Sequence, residues 1–415
     1  MATAQTLEPE TTDSRSTEPP LDVRKVVADF DQASRSVRIP LRLRVMYWLY
    51  YIALAHRGKS VYSSTMDAQY EPGFLLRGYQ KYCGLINRRF EQLPAQAKPI
   101  EVPAFRSDQL AEGDMAFLIK SRIPFVLRGA AKDSAMGRWD LDYLDRVAGD
   151  CEVPVNAALD KPSEDYSLPT KSHHYYDFHM GKVREVTDSI RAGGNLRLTV
   201  AEDIMHEGGD RLLNDVDVPF WETLTGWDKN QSHWLRSKLF VGKVFSTLLL
   251  VQPQDSYSLW HTEPGDAFFA LSKGSKTWTM AHPLYTAPML PRIKKTTNYT
   301  GSNIDSRESN SVLKQRGFGA YLAVPKVAIR IEAGDMLRVP NLWWHTVETH
   351  PGDYTVAVTM RIEPGPDLVA PGFLCMGLLD KQAKAVARAY LKHGRISDNL
   401  IGQPRKSRSA NESPA

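Results

Sequence analysis

Cysteines are scarce in this sequence: the 415 residues include only Cys83, Cys151 and Cys375, and no two of them form a CxxC pair. An odd number of cysteines without paired spacing argues against a disulfide framework and a structural zinc site. It favours a reducing compartment, which we expect to be the cytoplasm.

Long hydrophobic runs are also absent. The most apolar stretch, residues 45–55, is shorter than the roughly 20 residues that cross a bilayer, so it predicts a buried helix and no transmembrane segment. Residues 1–24 are polar, which argues against a secretory signal.

An excess of charge of one sign is lacking as well. The chain has 52 basic and 48 acidic residues, a formal net charge of +4, and its one short basic block is residues 405–408. Proteins that bind nucleic acid through the phosphate backbone usually carry a basic patch or stripe. The balance of charge therefore argues against a nucleic-acid partner.

Composition and hydrophobic periodicity divide the chain into six regions. In order they are a disordered tail, a helical region, a mixed α/β segment, a β-rich domain, a C-terminal helix and a second disordered tail, at 1–24, 25–100, 101–236, 237–370, 371–402 and 403–415. Between residues 244 and 362, eight short apolar runs alternate with turn sequences. This pattern predicts a mainly β fold, a sandwich or a barrel, for the fourth region.

His261 and Glu263 are two residues apart in this β-rich domain. Side chains two apart on a strand point to the same face, so this imidazole and carboxylate could hold one metal ion together. His345, at the end of the apolar segment Val339–His345, is the best candidate for a third ligand. Two histidines and a carboxylate make the facial triad of non-haem iron(II) oxygenases, which leaves coordination positions open for substrate and O2. The His–Glu pair alone is equally compatible with an ordinary histidine beside a glutamate.

Lys276 follows the turn Lys273-Gly-Ser275, and a hairpin at this turn is expected to bring it alongside the strand of His261. A buried ammonium group requires an anionic partner. A dicarboxylate that chelates iron at one end would offer its other carboxylate to Lys276. Ser258, three residues before His261, could donate a hydrogen bond to the same carboxylate. A solvated turn residue is the alternative interpretation of Lys276.

Two segments, 248–276 and 334–348, carry the motifs of a known family. The sequence LLL at 248–250, HTE at 261–263, FFALSKGSK at 268–276 and VPNLWWH at 339–345 together resemble the JmjC and cupin-like family of iron(II)/2-oxoglutarate oxygenases. The branch that looks most similar contains the asparaginyl hydroxylase that inhibits hypoxia-inducible factor. The resemblance implies a double-stranded β-helix, that is, a cupin or jelly-roll barrel. We expect N-terminal helical and mixed α/β elaborations and a C-terminal helix around it.

Residue by residue, the resemblance implies that three side chains bind Fe(II), namely His261, Glu263 and His345. It implies that Lys276 pairs with the distal carboxylate of 2-oxoglutarate, with Ser258 standing where the family often has Thr. Two positions depart from the asparaginyl hydroxylase branch. That branch has Asp in place of Glu263, and it carries an Asn near Thr359.

Four further residues near these motifs are candidates for the site. Arg361, sixteen residues after His345, is either a second contact to the co-substrate or an ion-paired residue at the barrel edge. Trp278 shares the strand face of Lys276 and could line a substrate pocket. Of Trp343 and Trp344, we expect at least one to pack in the core, and Trp343 is a candidate wall of the pocket.

Several other histidines and one aspartate are not expected to be metal ligands. His350 lies at odd spacing from the third ligand, next to Pro351-Gly352, and is interpreted as a turn residue. Asp266 is also interpreted as a turn residue. His173, His174 and His179 are close in sequence but lack the Cys or carboxylate spacing of a second metal site.

The combined pattern predicts an oxygenase that couples oxidation of its substrate by O2 to the decarboxylation of 2-oxoglutarate, giving succinate and CO2. The expected substrate is a protein or peptide side chain, or an amino-acid-like small metabolite. Two other classes stay open: a cupin-type metal-dependent dioxygenase or isomerase that does not use 2-oxoglutarate, and a non-catalytic barrel that serves as a binding module. An amphipathic helix predicted at Leu378–His393 suggests a homodimer.

Overall fold

The computed structural model describes most of the chain between residues 21 and 364. The described residues are 21–56, 73–158, 176–201, 203–226, 229, 232, 242–293, 300–352, 354–364 and 370. The predicted C-terminal helix with its homodimer contact, most of both tails, His173 and His174 lie outside the described residues. Those expectations stay predictions, as does the division into six regions.

Most of the helices in the described part of the chain precede the β-rich domain, and two short ones lie within it. The α-helices of the described residues are α1 (Val23–Ser34), α2 (Leu41–His56), α3 (Phe74–Glu91), α4 (Asp114–Ser121), α5 (Leu141–Ala148), α6 (Val183–Arg191), α7 (Glu207–Val216), α8 (Val218–Leu224), α9 (Asn310–Gln315) and α10 (Gly319–Leu322). Short 3-10 helices lie at Ser107–Gln109, Ala135–Arg138, Asp203–His206 and Pro283–Tyr285. Helix α2 contains the apolar stretch 45–55, where Tyr47, Trp48 and Tyr51 are buried. Among the helices that are described, none combines the length and the apolar character of a membrane span.

The strands form two large sheets. They are β1 (Ile100–Glu101), β2 (Ala104–Arg106), β3 (Phe125–Arg128), β4 (Glu152–Ala158), β5 (Tyr176–Lys182), β6 (Leu196–Ala201), β7 (Val244–Gln252), β8 (Tyr257–Thr262), β9 (Asp266–Lys273), β10 (Ser275–Ala281), β11 (Thr300–Gly301), β12 (Lys326–Glu332), β13 (Met336–Val339), β14 (Trp344–Thr349) and β15 (Thr355–Ile362). The six-stranded sheet has the order β1-β12-β10-β14-β8-β11, and the nine-stranded sheet has the order β2-β3-β13-β9-β15-β7-β6-β4-β5.

The eight apolar runs of the β-rich domain correspond to β7–β10 and β12–β15. Their side chains alternate between the space enclosed by the two sheets and the outer layers, as half-buried strands require. The mainly β, cupin-like fold predicted from the sequence is therefore confirmed. Strands β4–β6, with α6 between β5 and β6, extend the larger sheet.

The hairpin expected at Lys273-Gly-Ser275 was wrong. Strands β9 and β10 flank this turn but belong to different sheets, so the chain crosses from one sheet to the other there. Gly274 has φ of +83°, and a Cβ at this position would lie 2.2 Å from the carbonyl oxygen of Tyr354. Only glycine fits a left-handed backbone against so close a neighbour. As a result β14, not β10, lies next to the strand of His261.

Two hydrophobic cores lie on opposite faces of the six-stranded sheet. The first lies between the sheets and includes Phe269, Trp278 and Met280. The second joins α2 and α3 to the outer face of the smaller sheet, where Trp260 and Trp344 are fully buried. Because alternate residues of a strand face opposite ways, the burial of these two tryptophans directs the neighbouring histidines of β8 and β14 toward the other side of the sheet.

Asp266 was expected in a turn, but it is buried at the start of β9. Its carboxylate accepts hydrogen bonds from Arg338, at 2.5 Å, and from the backbone amide of Asn341, at 2.8 Å. The side chain of Arg338 is 1% exposed and that of Asp266 is 10% exposed. Removing one partner of a buried ion pair leaves the other charge uncompensated.

We therefore expect Asp266→Ala to lower the free energy of unfolding by about 3–5 kcal/mol in urea denaturation. Glu332→Ala is the matched control, because it removes the pair between Arg330 and Glu332, whose side chains are 57% and 65% exposed. Its loss should be less than about 1 kcal/mol. Equal losses in the two variants would contradict a special role for the buried pair.

Candidate metal and anion site

His261 and His345 lie directly opposite each other on neighbouring strands. Their Cα atoms are paired in the antiparallel register of β8 and β14, and the register shifts just beyond, between His345 and Val347. The two ring centroids are 4.1 Å apart, and each residue is 8% exposed. The structure thus brings together two of the three predicted metal ligands, 84 residues apart in the sequence.

The hydrogen bonds of both imidazoles define their tautomers. Nδ1 of His261 lies 2.7 Å from the carbonyl oxygen of Leu259, and Nδ1 of His345 lies 2.9 Å from that of Trp343. A carbonyl oxygen only accepts, so Nδ1 donates in both rings, and Nε2 of the neutral ring carries the lone pair. Burial lowers the pKa of His345 to about 3 and also lowers the pKa of His261. Two neutral imidazoles with Nδ1 held by carbonyl groups are the form in which histidine binds a divalent metal ion.

Glu263 lies just beyond the end of β8, beside both a histidine and an arginine. Its Oε1 is 4.0 Å from Nε2 of His261, and its Oε2 accepts a hydrogen bond from Arg361 on β15. Burial acts to raise the pKa of Glu263, but the charge of Arg361 outweighs burial and holds it below its ordinary value. Glu263 is therefore an anion near neutral pH, and Arg361 contacts this carboxylate.

The donor set fits a metal ion after a small movement. As the side chains stand, no three His, Cys, Asp or Glu side chains form a metal-ligand group within the part of the chain that is described. Two adjacent ligands of one metal ion lie about 3 Å apart, since each bond is about 2.1 Å long. The carboxylate of Glu263 would have to approach His261 by roughly 1 Å to share an ion with it. Two imidazoles and one carboxylate are the donors that suit iron(II).

Lys276 is buried on β10, in the six-stranded sheet that also contains the strands of His261 and His345. It is 1% exposed, and its Nζ donates to Oε1 of Gln252, at 2.5 Å, and to Oγ1 of Thr349, at 2.8 Å. Burial, and after it the charge of Arg197, lowers the pKa of Lys276 to about 7. Both hydrogen-bond partners are neutral, so the ammonium group is buried against partners that carry no charge. The solvated-turn interpretation of Lys276 is wrong.

Trp278 lines the space beside His345. Its ring centroid is 5.3 Å from that of His345 and 4.9 Å from that of Phe269. Its Nε1 is buried and has no hydrogen-bond partner among the described residues. A buried donor without an acceptor is costly, so this group would gain a hydrogen bond from a ligand with an acceptor oxygen.

The other predicted site residues occupy different surroundings. The hydroxyl of Ser258 accepts a hydrogen bond from the backbone amide of Val347, at 3.0 Å. Trp344 packs in the helical core and donates to Thr286, whereas Trp343 lies beside His282, with ring centroids 5.1 Å apart.

Two histidines considered from the sequence lie apart from this group. His350 directly follows the end of β14, which agrees with its interpretation as a turn residue. Its Nε2 is 2.9 Å from Oγ1 of Thr277. His179 forms an exposed pair with Glu185.

Three residues near Lys276 were missed by the sequence analysis: Arg197, Gln252 and Thr349. Gln252 and Thr349 end apolar strands, where a polar residue looks like the start of a turn. Arg197 interrupts the apolar alternation of LRLTVA at 196–201. A charged residue inside such a run was the one feature of the sequence that could have pointed to a buried functional group. The surrounding segment was not interpreted as a strand, so that signal had no structural context.

Comparison with known proteins agrees with this geometry. Residues 112–360 match the cupin-like domain family. The mouse tRNA wybutosine-synthesizing protein 5 is 24% identical over 243 residues, which cover 56% of this chain and 69% of that protein. The Drosophila melanogaster Jumonji C domain-containing protein 5 is 23% identical over 225 residues, which cover 54% of this chain and 50% of that protein.

These relatives support a JmjC-type cupin domain but do not specifically support the asparaginyl hydroxylase branch expected from the motifs. The chain spans half the length of the Drosophila relative. The family match extends over more than half of this chain and includes every residue of the histidine, glutamate and lysine constellation. The protein therefore belongs to the cupin-like domain family.

Proposed function

We propose that this protein is an iron(II)- and 2-oxoglutarate-dependent oxygenase. The observation that carries the proposal is Lys276, a buried ammonium group with two neutral hydrogen-bond partners, in the same barrel as the pair of His261 and His345. An enzyme that needs only a metal ion has no use for a buried cation there, whereas a dicarboxylate would supply its missing negative charge.

Each residue of the site has a stated task in this proposal. His261 and His345 would hold iron(II) through Nε2, and Glu263 through Oε1. Bound iron supplies the oxygen chemistry that couples substrate oxidation to the conversion of 2-oxoglutarate to succinate and CO2. Lys276, with Thr349, would bind the distal carboxylate and so orient the co-substrate.

Arg361 and the aromatic walls act on the surroundings of the metal. By pairing with one oxygen of Glu263, Arg361 keeps this carboxylate ionised and limits its rotation. Trp278 and Phe269 present apolar surface next to His345. Apolar walls of this kind exclude water from a reacting centre.

The substrate class rests on charge. The name of the mouse relative refers to the synthesis of wybutosine in tRNA, but the present chain has nearly equal numbers of basic and acidic residues. Backbone recognition of RNA uses clustered Lys and Arg. We therefore propose a protein or peptide side chain, or an amino-acid-like metabolite, as the group that is hydroxylated.

The test is an anaerobic titration of the purified protein with iron(II) and then 2-oxoglutarate, followed by its visible charge-transfer band. A saturable band, together with succinate formation when air is admitted, is the expected result. Iron binding without a band would overturn the co-substrate and favour a cupin enzyme that works without 2-oxoglutarate. No iron binding would overturn the catalytic proposal and favour a binding module.

A further inference from the structure

The pair of helices α2 and α3 carries an excess of positive charge that the balanced totals of the whole chain conceal. Residues 36–56 and 73–90 contain seven of the 52 basic residues and none of the 48 acidic residues. The rest of the chain therefore has three more acidic than basic residues. Charge that is divided in this way steers an anionic partner toward one part of a molecule.

The basic residues of α3 form a stripe on its exposed side, the basic stripe. Arg77, Lys81 and Arg88 are all exposed, and at 3.6 residues per turn they lie within about 40° of one another around the helix. In the part of the chain that is described, none of the three forms an ion pair with a carboxylate. Phe74, at the start of the helix, lies close to this stripe and is 69% exposed. The exposed side of α3 therefore combines cations that no carboxylate neutralises with an aromatic ring in contact with water.

Helix α2 is apolar on two opposite sides. Tyr47 and Tyr51 are buried on one side, whereas Leu41, Val45 and Leu49, each four residues from the next, form an apolar stripe on the other and are 67%, 47% and 55% exposed. A helix that is apolar all round is normally enclosed by other apolar groups. Of the eight large hydrophobic residues that are exposed in the described part of the chain, four lie on α2 and α3. This concentration indicates a surface that an apolar partner covers.

Aromatic contacts hold the two helices together. The rings of Tyr50 on α2 and Tyr82 on α3 are stacked, with centroids 5.6 Å apart, and Nζ of Lys81 lies 5.8 Å from the ring centroid of Tyr82. Gly78 leaves room for the ring of Tyr50, because a Cβ there would overlap it. Both helices bury their other sides in the second core, so the two stripes belong to one packed unit and face away from that core. Tyrosine, with its apolar ring and polar hydroxyl group, is typical of the boundary between a membrane and water.

We propose that the outer sides of α2 and α3 bind the surface of a membrane that contains anionic lipids. The contact surface comprises the apolar stripe of α2 and the basic stripe of α3 with Phe74. A bilayer of this kind offers negative head groups to the basic stripe and a hydrocarbon layer to the apolar stripe, so one partner satisfies both. The inference is independent of the proposed function, because none of these residues lies in the metal and anion site.

Two other occupants fit these observations less well. A second copy of the chain would bring two basic stripes together, and like charges repel each other. RNA matches the charge, but its phosphate backbone offers no apolar group to Leu41, Val45 and Leu49. The aliphatic side chains of these residues also lack the flat ring on which a base stacks.

The test is cosedimentation of the full chain with vesicles, once with equal parts of phosphatidylserine and phosphatidylcholine and once with phosphatidylcholine alone. We expect saturable binding to the vesicles that contain phosphatidylserine, and release at high salt because salt screens the charges. A basic residue near an anionic surface contributes about fivefold to the affinity. The triple variant Arg77→Gln/Lys81→Gln/Arg88→Gln should therefore bind about 100-fold more weakly than wild type.

Two further variants separate the location of charge from its total, and charge from apolar contact. Lys120→Gln/Lys132→Gln/Lys273→Gln removes three charges from exposed positions outside the two helices and should bind within about twofold of wild type. Leu41→Asn/Leu49→Asn keeps the charge and should weaken binding by at least about tenfold. All of these side chains are exposed, so we expect each melting temperature to stay close to that of wild type.

Equal weakening in the two triple variants would show that only total charge matters and would overturn the proposal. Equal binding to vesicles of phosphatidylcholine alone, or no binding to either kind of vesicle, would overturn it as well. Binding of a single-stranded RNA oligonucleotide without any binding of vesicles would assign the surface to nucleic acid instead. The charge-transfer band with 2-oxoglutarate should be the same in wild type and all variants, so a failure of the proposed function is seen separately from a failure of this inference.

Discussion

Replacing Lys276 by methionine is expected to abolish 2-oxoglutarate binding and, at the same time, to stabilise the ligand-free protein. The ammonium group is 1% exposed and its hydrogen-bond partners are neutral. Methionine has a similar length and carries no charge. Loss of a buried, charge-assisted contact to the distal carboxylate should raise the Kd by at least about 100-fold.

The gain in stability follows from the lowered pKa of Lys276. A fall from 10.5 to about 7 means that the folded protein holds the proton less tightly than the unfolded chain does. When the pKa of a group differs by one between the two states, the free energies of protonation differ by about 1.4 kcal/mol. Gln252 and Thr349 lose a hydrogen bond in the variant, so we expect a net gain of about 1–3 kcal/mol in the free energy of unfolding.

The sign of the pH dependence makes this expectation specific. Between pH 7 and 10.5 the unfolded chain binds more protons at this site than the folded protein, so the stability of wild type rises with pH. The difference between Lys276→Met and wild type should thus be greatest at pH 7 and below. Because it falls by about 1.4 kcal/mol for each pH unit above pH 7, it should disappear about one to two pH units above 7 and then reverse in sign. Urea denaturation across this range measures it.

Lys273→Met, at the exposed end of β9, is the control and should change neither stability nor co-substrate affinity. A Lys276→Met protein that is less stable than wild type at pH 7 would show that the ammonium group is already neutralised by an anion.

Removing one imidazole of the site should eliminate iron binding. His261 and His345 each hold Nδ1 on a backbone carbonyl and direct Nε2 toward a common space. Loss of a partner outside the ligand set already costs a metal site about 10–100-fold in affinity. His345→Ala and His261→Ala should therefore weaken iron(II) binding by more than about 100-fold.

The matched control is His350→Ala, five residues along the chain from His345, where the imidazole contacts Thr277. Iron retained after anaerobic desalting, measured colorimetrically, should be near one per chain for wild type and His350→Ala and near zero for the other two. Stoichiometric iron in His345→Ala would remove this residue from the ligand set. Circular dichroism of the metal-free proteins checks that all of them fold.

Some features of this protein follow from local sequence alone. The spacing of two between His261 and Glu263 predicts that both side chains point the same way from an extended chain, because the period of a strand is fixed by backbone geometry; in the structure β8 ends at Thr262 and Glu263 follows it. The eight apolar runs predicted eight strands for the same reason. The family motifs are also local, and they predict the cupin-like domain without reference to any tertiary contact.

Other features were decided only by the tertiary structure. The ion pair of Arg361 with Glu263 joins residues 98 apart, and the bond of Lys276 to Thr349 joins residues 73 apart. The turn at Gly274, interpreted from the sequence as a hairpin, instead passes between sheets. A turn sequence specifies a local reversal of the chain, but it does not specify which strand the next segment will pair with.

The sequence by itself thus determined the strands, the family and the candidate ligands, since these depend on residue type and short-range periodicity. The tertiary structure alone decided which charges meet. Arg197 is adjacent to Gln252 only because β6 pairs with β7 in one register, and a shift of one residue would turn its side chain to the other face. Register between distant strands is set by the packing of the whole barrel, so the second cation beside Lys276 could not be found from the order of residues.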